Sequence, residues 1–181
     1  MYILFALMVL QTLIACKNFN KESPTHETID LIGNRLKLPK DLPFILLDGD
    51  TLENLPQTDF TIINYVDSLG CVSCNLQTLE WKFFMEEINS FLKNQVTLVV
   101  YVTPKEGDCI SDLMWILKGD DFNYPVCFDK EGQFLKANKL SESNACHTFL
   151  LDANYKILSA GNPIVNPSAK EAYLSILQRE K

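Results

Sequence analysis

Two runs of strand-forming residues on either side of a helical stretch restrict this chain more than anything else in it. Phe60-Thr61-Ile62-Ile63-Asn64-Tyr65-Val66 is rich in β-branched and aromatic residues, as a strand is. Val96 to Val102 is a continuous apolar run of strand length, the pattern of a strand buried on both faces of a parallel sheet. Between them Leu76, Leu79, Phe83, Ile88 and Phe91 recur at helical spacing, with Glu80, Lys82, Glu86 and Glu87 largely on the other side. The pattern predicts a helix ending near Phe91. Strand, helix and strand in that order predict a right-handed βαβ crossover.

Gly70-Cys71-Val72-Ser73-Cys74 stands where the first strand gives way to the helix. The carboxyl edge of a strand is where open α/β sheets carry their chemistry. A cysteine beside unpaired helix N–H groups favours thiolate over thiol. A second one, a turn into the helix, is close enough to close a disulfide. Redox chemistry is therefore the leading reading of Cys71 and Cys74.

The rest of the chain supplies a second and a third layer. Leu31 to Pro39 and Phe44 to Leu47 read as short strands, with a turn at Asp48-Gly49-Asp50. Pro104 and Gly107 end the apolar run. Ile110 to Leu117 reads as a short helix that Ser111 or Asp108 could cap, Tyr124 to Phe128 as a strand, and Phe134 to Leu140 as a helix. Thr148 to Leu151 and Ile157 to Ala160 form a hairpin through Asp152-Ala153-Asn154-Tyr155. A last helix starts at Pro167, with Ser168 and Glu171 at capping-box spacing and Ala172, Tyr173, Ile176 and Leu177 on its buried face. Trp81, Phe84 and Trp115 sit at core-like spacing on their helices and are assigned to packing. The fold class is α/β, a three-layer α/β/α sandwich with a mixed central sheet.

Composition narrows the partners. The formal charge is −7 and only Arg35 and Arg179 are arginines, which argues against a nucleic-acid surface, since that needs clustered Lys and Arg. Tyr2 to Ala15 is apolar except for Gln11 and Thr12, too short to cross about 30 Å of hydrocarbon and suited to a signal h-region. No Lys or Arg precedes it. It ends in Leu13-Ile14-Ala15-Cys16, which resembles a bacterial lipobox, implying lipidation of Cys16. The polar stretch Lys17 to Glu27, with Pro24, reads as a tether. The expected organisation is a signal peptide over 1–15, a lipidated N-terminus, tether and lead-in strand over 16–42, and one domain over 43–181. That places the domain in the cell envelope, lipid-anchored to a bacterial membrane, where disulfides persist.

The residues Ile62-Ile63-Asn64-Tyr65 before Gly70-Cys71-Val72-Ser73-Cys74, then Tyr124-Pro125-Val126-Cys127-Phe128-Asp129 and Thr148-Phe149-Leu150-Leu151-Asp152, resemble a thioredoxin-like protein. The resemblance is to the exported, membrane-anchored branch related to alkyl hydroperoxide reductases and thiol-specific antioxidants. The start of the chain and Asp67-Ser68-Leu69-Gly70-Cys71 are also similar to lipoproteins of the gut-dwelling Bacteroides type. The resemblance implies a thioredoxin-like domain, Cys71 as attacking thiolate and Cys74 as resolving thiol. It further implies a protein dithiol or disulfide as substrate, a membrane-bound electron-transfer partner, and no cofactor.

Three positions depart from that pattern. Gly70 stands where an aromatic residue usually precedes the first cysteine, and Val72-Ser73 lacks a proline. The loop before the Thr148 strand reads Asn144-Ala145-Cys146-His147, where the family carries a cis-proline facing the disulfide. Cys146 and His147 are thus expected near Cys71 and Cys74. Cys146 is read as packing, a third exchangeable thiol, or a metal ligand in place of His147. His147 is read as a strand-edge residue, a proton donor to the departing thiolate, or a ligand completing a copper or zinc site with Cys71 and Cys74. Copper-delivery relatives use Cys-x-x-x-Cys, so no metal is the main expectation, and a redox-inactive binding module is the other alternative. A peroxiredoxin's Pro-x-x-x-Thr-x-x-Cys run is missing: counting back from Cys71 gives Asn64 and Ser68. Peroxidase activity is not expected. Cys109 reads as a loop cysteine at a helix start and Cys127 as core.

Overall fold

The computed structural model describes residues 31–67, 75–92, 95–104, 107, 110–141 and 147–179. Among the described residues seven strands run in chain order: β1 (Phe44–Ile45), β2 (Thr51–Leu52), β3 (Phe60–Val66), β4 (Val96–Val102), β5 (Val126–Phe128), β6 (His147–Asp152) and β7 (Ile157–Ala160). The helices are α1 (Thr78–Leu92), α2 (Ile110–Gly119), α3 (Gln133–Asn138) and α4 (Pro167–Arg179). One mixed sheet holds all seven strands in the order β2-β1-β5-β4-β3-β6-β7. β3 pairs β4 in parallel from Phe60↔Val96 to Val66↔Val102, and β4 pairs β5 in parallel. β6 runs antiparallel to β3, with Tyr65 opposite His147 and Asn64 opposite Thr148.

Strand alternation sorts the side chains onto two faces. Ile62 and Val66 of β3, Leu98 and Val100 of β4 and Leu150 of β6 share one cluster with Trp81, Phe84 and Ile88 of α1, Leu113 and Leu117 of α2, and Tyr173 and Leu177 of α4. The opposite face gathers Ile63, Tyr65, Val99, Tyr101, Cys127, Phe149 and Leu151 under Phe134 and Leu135 of α3 and Leu36 of the lead-in. Each fully buried Ile, Leu or Phe contributes about 1.5–3 kcal/mol of apolar transfer, so the two clusters hold α1 and α3 against opposite faces. The result is the three-layer sandwich with a mixed sheet that the element order predicts.

Several local expectations are corrected. Leu31 to Pro39 is not a strand: only Arg35 bridges, to Lys156. The Phe44 strand is two residues long and forms a hairpin with β2 across the Asp48–Asp50 turn. β5 starts at Val126, and α3 stops at Asn138 because Lys139 is left-handed (φ 55°). On α1 the buried residues are Trp81, Phe84, Met85, Ile88 and Leu92, while Leu79 and Phe83 point outward. Of the predicted apolar face Leu76 and Ile88 are buried, as are Trp81 and Phe84, both assigned to packing, so only Leu79 and Phe83 depart from the expectation. Trp115 is also exposed rather than packed. The cap of α4 is Asn166, whose Oδ1 accepts from the Ser168 and Ala169 amides, so Ser168 lies inside the helix. Among the described residues no helix is long and apolar enough to cross a membrane. The signal-peptide region, Cys16, the tether and Asp108 lie outside them.

Candidate functional site

The carboxyl edge of the parallel strands is where backbone pairing ends and side chains take over. Val66 O accepts from the Thr103 amide at 2.9 Å, and Val102 O from the Asp129 amide at 2.8 Å, so β3, β4 and β5 finish side by side. The connection from β3 to α1 leaves this edge. It contains Cys71 and Cys74 in sequence, and both lie outside the described residues, as do Cys109 and Cys146.

What flanks the connection is well defined. Asn75 and Leu76 are helical, and Gln77, whose φ of 46° is left-handed, separates them from α1. A non-glycine residue there costs on the order of 1 kcal/mol, so α1 proper begins only at Thr78. Thr78 Oγ1 donates a short hydrogen bond to Asp120 Oδ2. Lys82 Nζ lies 3.1 Å from Asp121 Oδ2 and donates to the Asp120 carbonyl at 3.4 Å. The turn after α2 thereby fixes the start of the helix that follows the two cysteines.

His147 opens β6 at the same edge and is buried. Its Nε2 lies 2.8 Å from the Ser141 carbonyl. A carbonyl only accepts, so Nε2 carries a proton, and Nδ1 alone can exchange one or bind a metal. The imidazole meets the Tyr65 ring edge-on at 5.8 Å, and Tyr65 stacks on Phe134 at 5.7 Å. The Tyr65 hydroxyl and Thr103 Oγ1 are 2.6 Å apart. Asp129 is fully buried, and its carboxylate accepts from the Gln133 and Phe134 amides at 2.8 Å each. It thus holds the amino end of α3 over the edge. Sequence reading found His147 but not the Tyr65–Thr103 pair or the Asp129 anchor. The β3–β6 register sets Tyr65 opposite His147, so the two share a face.

Deeper in the same face the ionisable groups are pushed toward neutrality. Burial, with the Asp129 charge second, raises the Cys127 thiol from 9.0 to about 12. Tyr101, opposite Cys127 in the register, is raised far above its ordinary value, chiefly by burial. Cys127 is a reduced thiol, as expected of a core cysteine. Among the described residues no three His, Cys, Asp or Glu side chains converge to hold a metal ion.

Solved structures share this architecture at low identity. An uncharacterized thioredoxin-like protein from Porphyromonas gingivalis is similar at a TM-score of 0.54 and 18% identity, over 80% of this chain and 92% of that one. The thioredoxin domain of a thiol-disulfide oxidoreductase from Bacteroides vulgatus matches at 0.52 and 15%, over 77% and 96%. The bacterioferritin comigratory protein of Xanthomonas campestris, described for alkyl peroxide reduction, matches at 0.55 and 18%, over 80% and 97%. The chain has a thioredoxin-like fold. At these identities the likeness carries the fold and not an activity. No family model matches the chain, and no curated protein matches it.

Proposed function

We propose that this chain is an exported, lipid-anchored thiol–disulfide oxidoreductase acting on protein disulfides through Cys71 and Cys74. One conjunction supports the reading: a Cys-x-x-Cys falls in the β3–α1 connection of a thioredoxin-like sheet, between Val66 and Thr78. In the reaction the Cys71 thiolate attacks one sulfur of a substrate disulfide and releases the other as a thiolate. Cys74 then attacks the mixed disulfide, releases the second substrate thiol, and leaves a Cys71–Cys74 disulfide. Two electrons pass to the substrate, and a membrane-bound dithiol partner returns them. In this reading His147, in its doubly protonated form, gives a proton to the departing thiolate and is left neutral with its Nε2–H on the Ser141 carbonyl. Cys16 carries the lipid, and residues 17–27 give the reach.

The test is the reduction potential of the Cys71–Cys74 pair. The chain from residue 17 is equilibrated in thiol redox buffers and quantified by alkylation and mass spectrometry, with Cys71→Ser as control. A reversible two-electron couple between about −270 and −120 mV supports the reading and gives its direction. A pair that never cycles points to a redox-inactive binding module. A pair that cycles only after metal is stripped points to a copper or zinc site using Cys71, Cys74 and His147.

A further inference from the structure

The outer side of α1 sets two large apolar side chains, Leu79 and Phe83, among its exposed acidic residues Glu80, Glu86 and Glu87. Phe83 is 67% exposed and Leu79, one turn before it, 47%. Their neighbours on that helix, Glu80 and Glu87, border a groove of about 200 Å³ that runs between α1 and the β7–α4 connection. Phe84 lines it from α1 and Pro163 and Ile164 from the facing connection. One end is closed by Lys170, whose Nζ lies 2.7 Å from Glu87 Oε2 and 5.6 Å from the centre of the Phe84 ring. At the other end, two helical turns or about 10 Å along α1, the exposed Glu80 carboxylate makes no ion pair among the described residues.

We infer that this groove docks a polypeptide segment of a partner protein that presents a large apolar side chain next to a lysine or arginine. The apolar side chain fills the space between Phe83, Phe84 and Ile164, which is of the size of one Phe or Leu. The adjacent cation pairs with Glu80, whose charge the Glu87–Lys170 pair leaves unanswered. The formal charge of −7 and the open carboxylate work against an anionic lipid surface. They also work against a second copy of the same face, because a two-fold interface brings like charges together. Among the described residues no cysteine lines the groove, so Phe83 and Glu80 can be changed without touching a thiol.

The experiment is fluorescence anisotropy of labelled nine-residue peptides titrated with the full-length chain at low salt. One probe carries Lys-Phe-Lys at its centre, a second Glu-Phe-Glu and a third Lys-Ser-Lys. The Lys-Phe-Lys probe is expected to bind at least fivefold more tightly than either other probe. Phe83→Ser, an exposed change that leaves the core intact, is expected to weaken it about tenfold. Glu80→Lys is expected to weaken it about fivefold and to improve the Glu-Phe-Glu probe. Absence of saturable binding up to 1 mM overturns the inference. So does equal binding of the basic and acidic probes, or unchanged binding by both variants.

Discussion

Cys127 makes the stability of this fold depend on alkaline pH in a calculable way. The thiol lies on β5 opposite Tyr101, fully buried, and burial with the Asp129 charge raises it from 9.0 to about 12. The folded chain therefore keeps this proton at pH values where the unfolded chain has lost it. Between about pH 9 and 12 the native state binds one proton more than the unfolded state, so stability falls as pH rises. Below pH 9 both states are protonated and the thiol contributes no pH dependence. For these two values, the loss between pH 8.5 and 10.5 comes to about 2 kcal/mol, at 1.36 kcal/mol per pKa unit. Cys127→Ala removes the group and keeps Tyr101, so tyrosine ionisation cancels to first order in the comparison. Urea unfolding of both proteins under reducing conditions, from pH 7 to 10.5, measures the difference. Wild type is expected to lose about 2 kcal/mol relative to Cys127→Ala over the last two pH units. A difference constant to within 0.5 kcal/mol would refute the burial argument.

Two further outcomes test the architecture. Asp129→Ala strips the half-buried Gln133 amide and the buried Phe134 amide of their acceptor at the start of α3 and is expected to cost about 2–3 kcal/mol in urea unfolding, with Asp129→Asn costing less because one acceptor oxygen remains. Phe84→Ala is expected to cost about 3–5 kcal/mol and Phe83→Ser less than about 0.5, although the residues are adjacent, because only Phe84 is buried; equal costs would mean that α1 is rotated from the arrangement described.

The strands of the central sheet were legible because burial on both faces leaves an unambiguous signature. β3 and β4 begin and end where their apolar runs do. The helix faces were harder to read. Around α1 two apolar stripes flank Leu76 and Ile88, one through Leu79 and Phe83, the other through Trp81, Phe84 and Met85, and periodicity alone does not rank them. Packing does, because the second stripe meets Ile62, Leu98 and Val100. Trp115 misled for the same reason: a large aromatic at core-like spacing reads as core until the neighbouring surface is known. The α4 cap was misplaced because Ser168 and Glu171 match a common spacing, whereas Asn166 precedes the proline and reaches the amides directly. Of the candidate site, the sequence names the thiols and His147. It does not show that Ser141 fixes the imidazole or that Thr103 holds the Tyr65 hydroxyl, since those pairs join residues 6 and 38 positions apart.

Depth along a strand, more than residue type, decides what a side chain here can do chemically. Cys127 sits within the paired part of β5, where a thiolate would be stranded without water or cation. His147, at the first residue of β6, is just as buried, yet it stands at the sheet's rim with its imidazole held by a loop carbonyl. Cys71 and Cys74 come in sequence after Val66, the last residue of β3, beyond the ladder that silences Cys127. The contrast yields a built-in control for the redox measurement. An alkylating reagent at neutral pH should leave Cys127 unmodified in the folded chain and label it once urea unfolds the sheet, at every buffer potential. Modification of the other thiols that follows the redox buffer then reports an exchangeable couple and not partial unfolding. Labelling of Cys127 in step with them would mean that the sheet had opened, and the apparent potential would belong to unfolding.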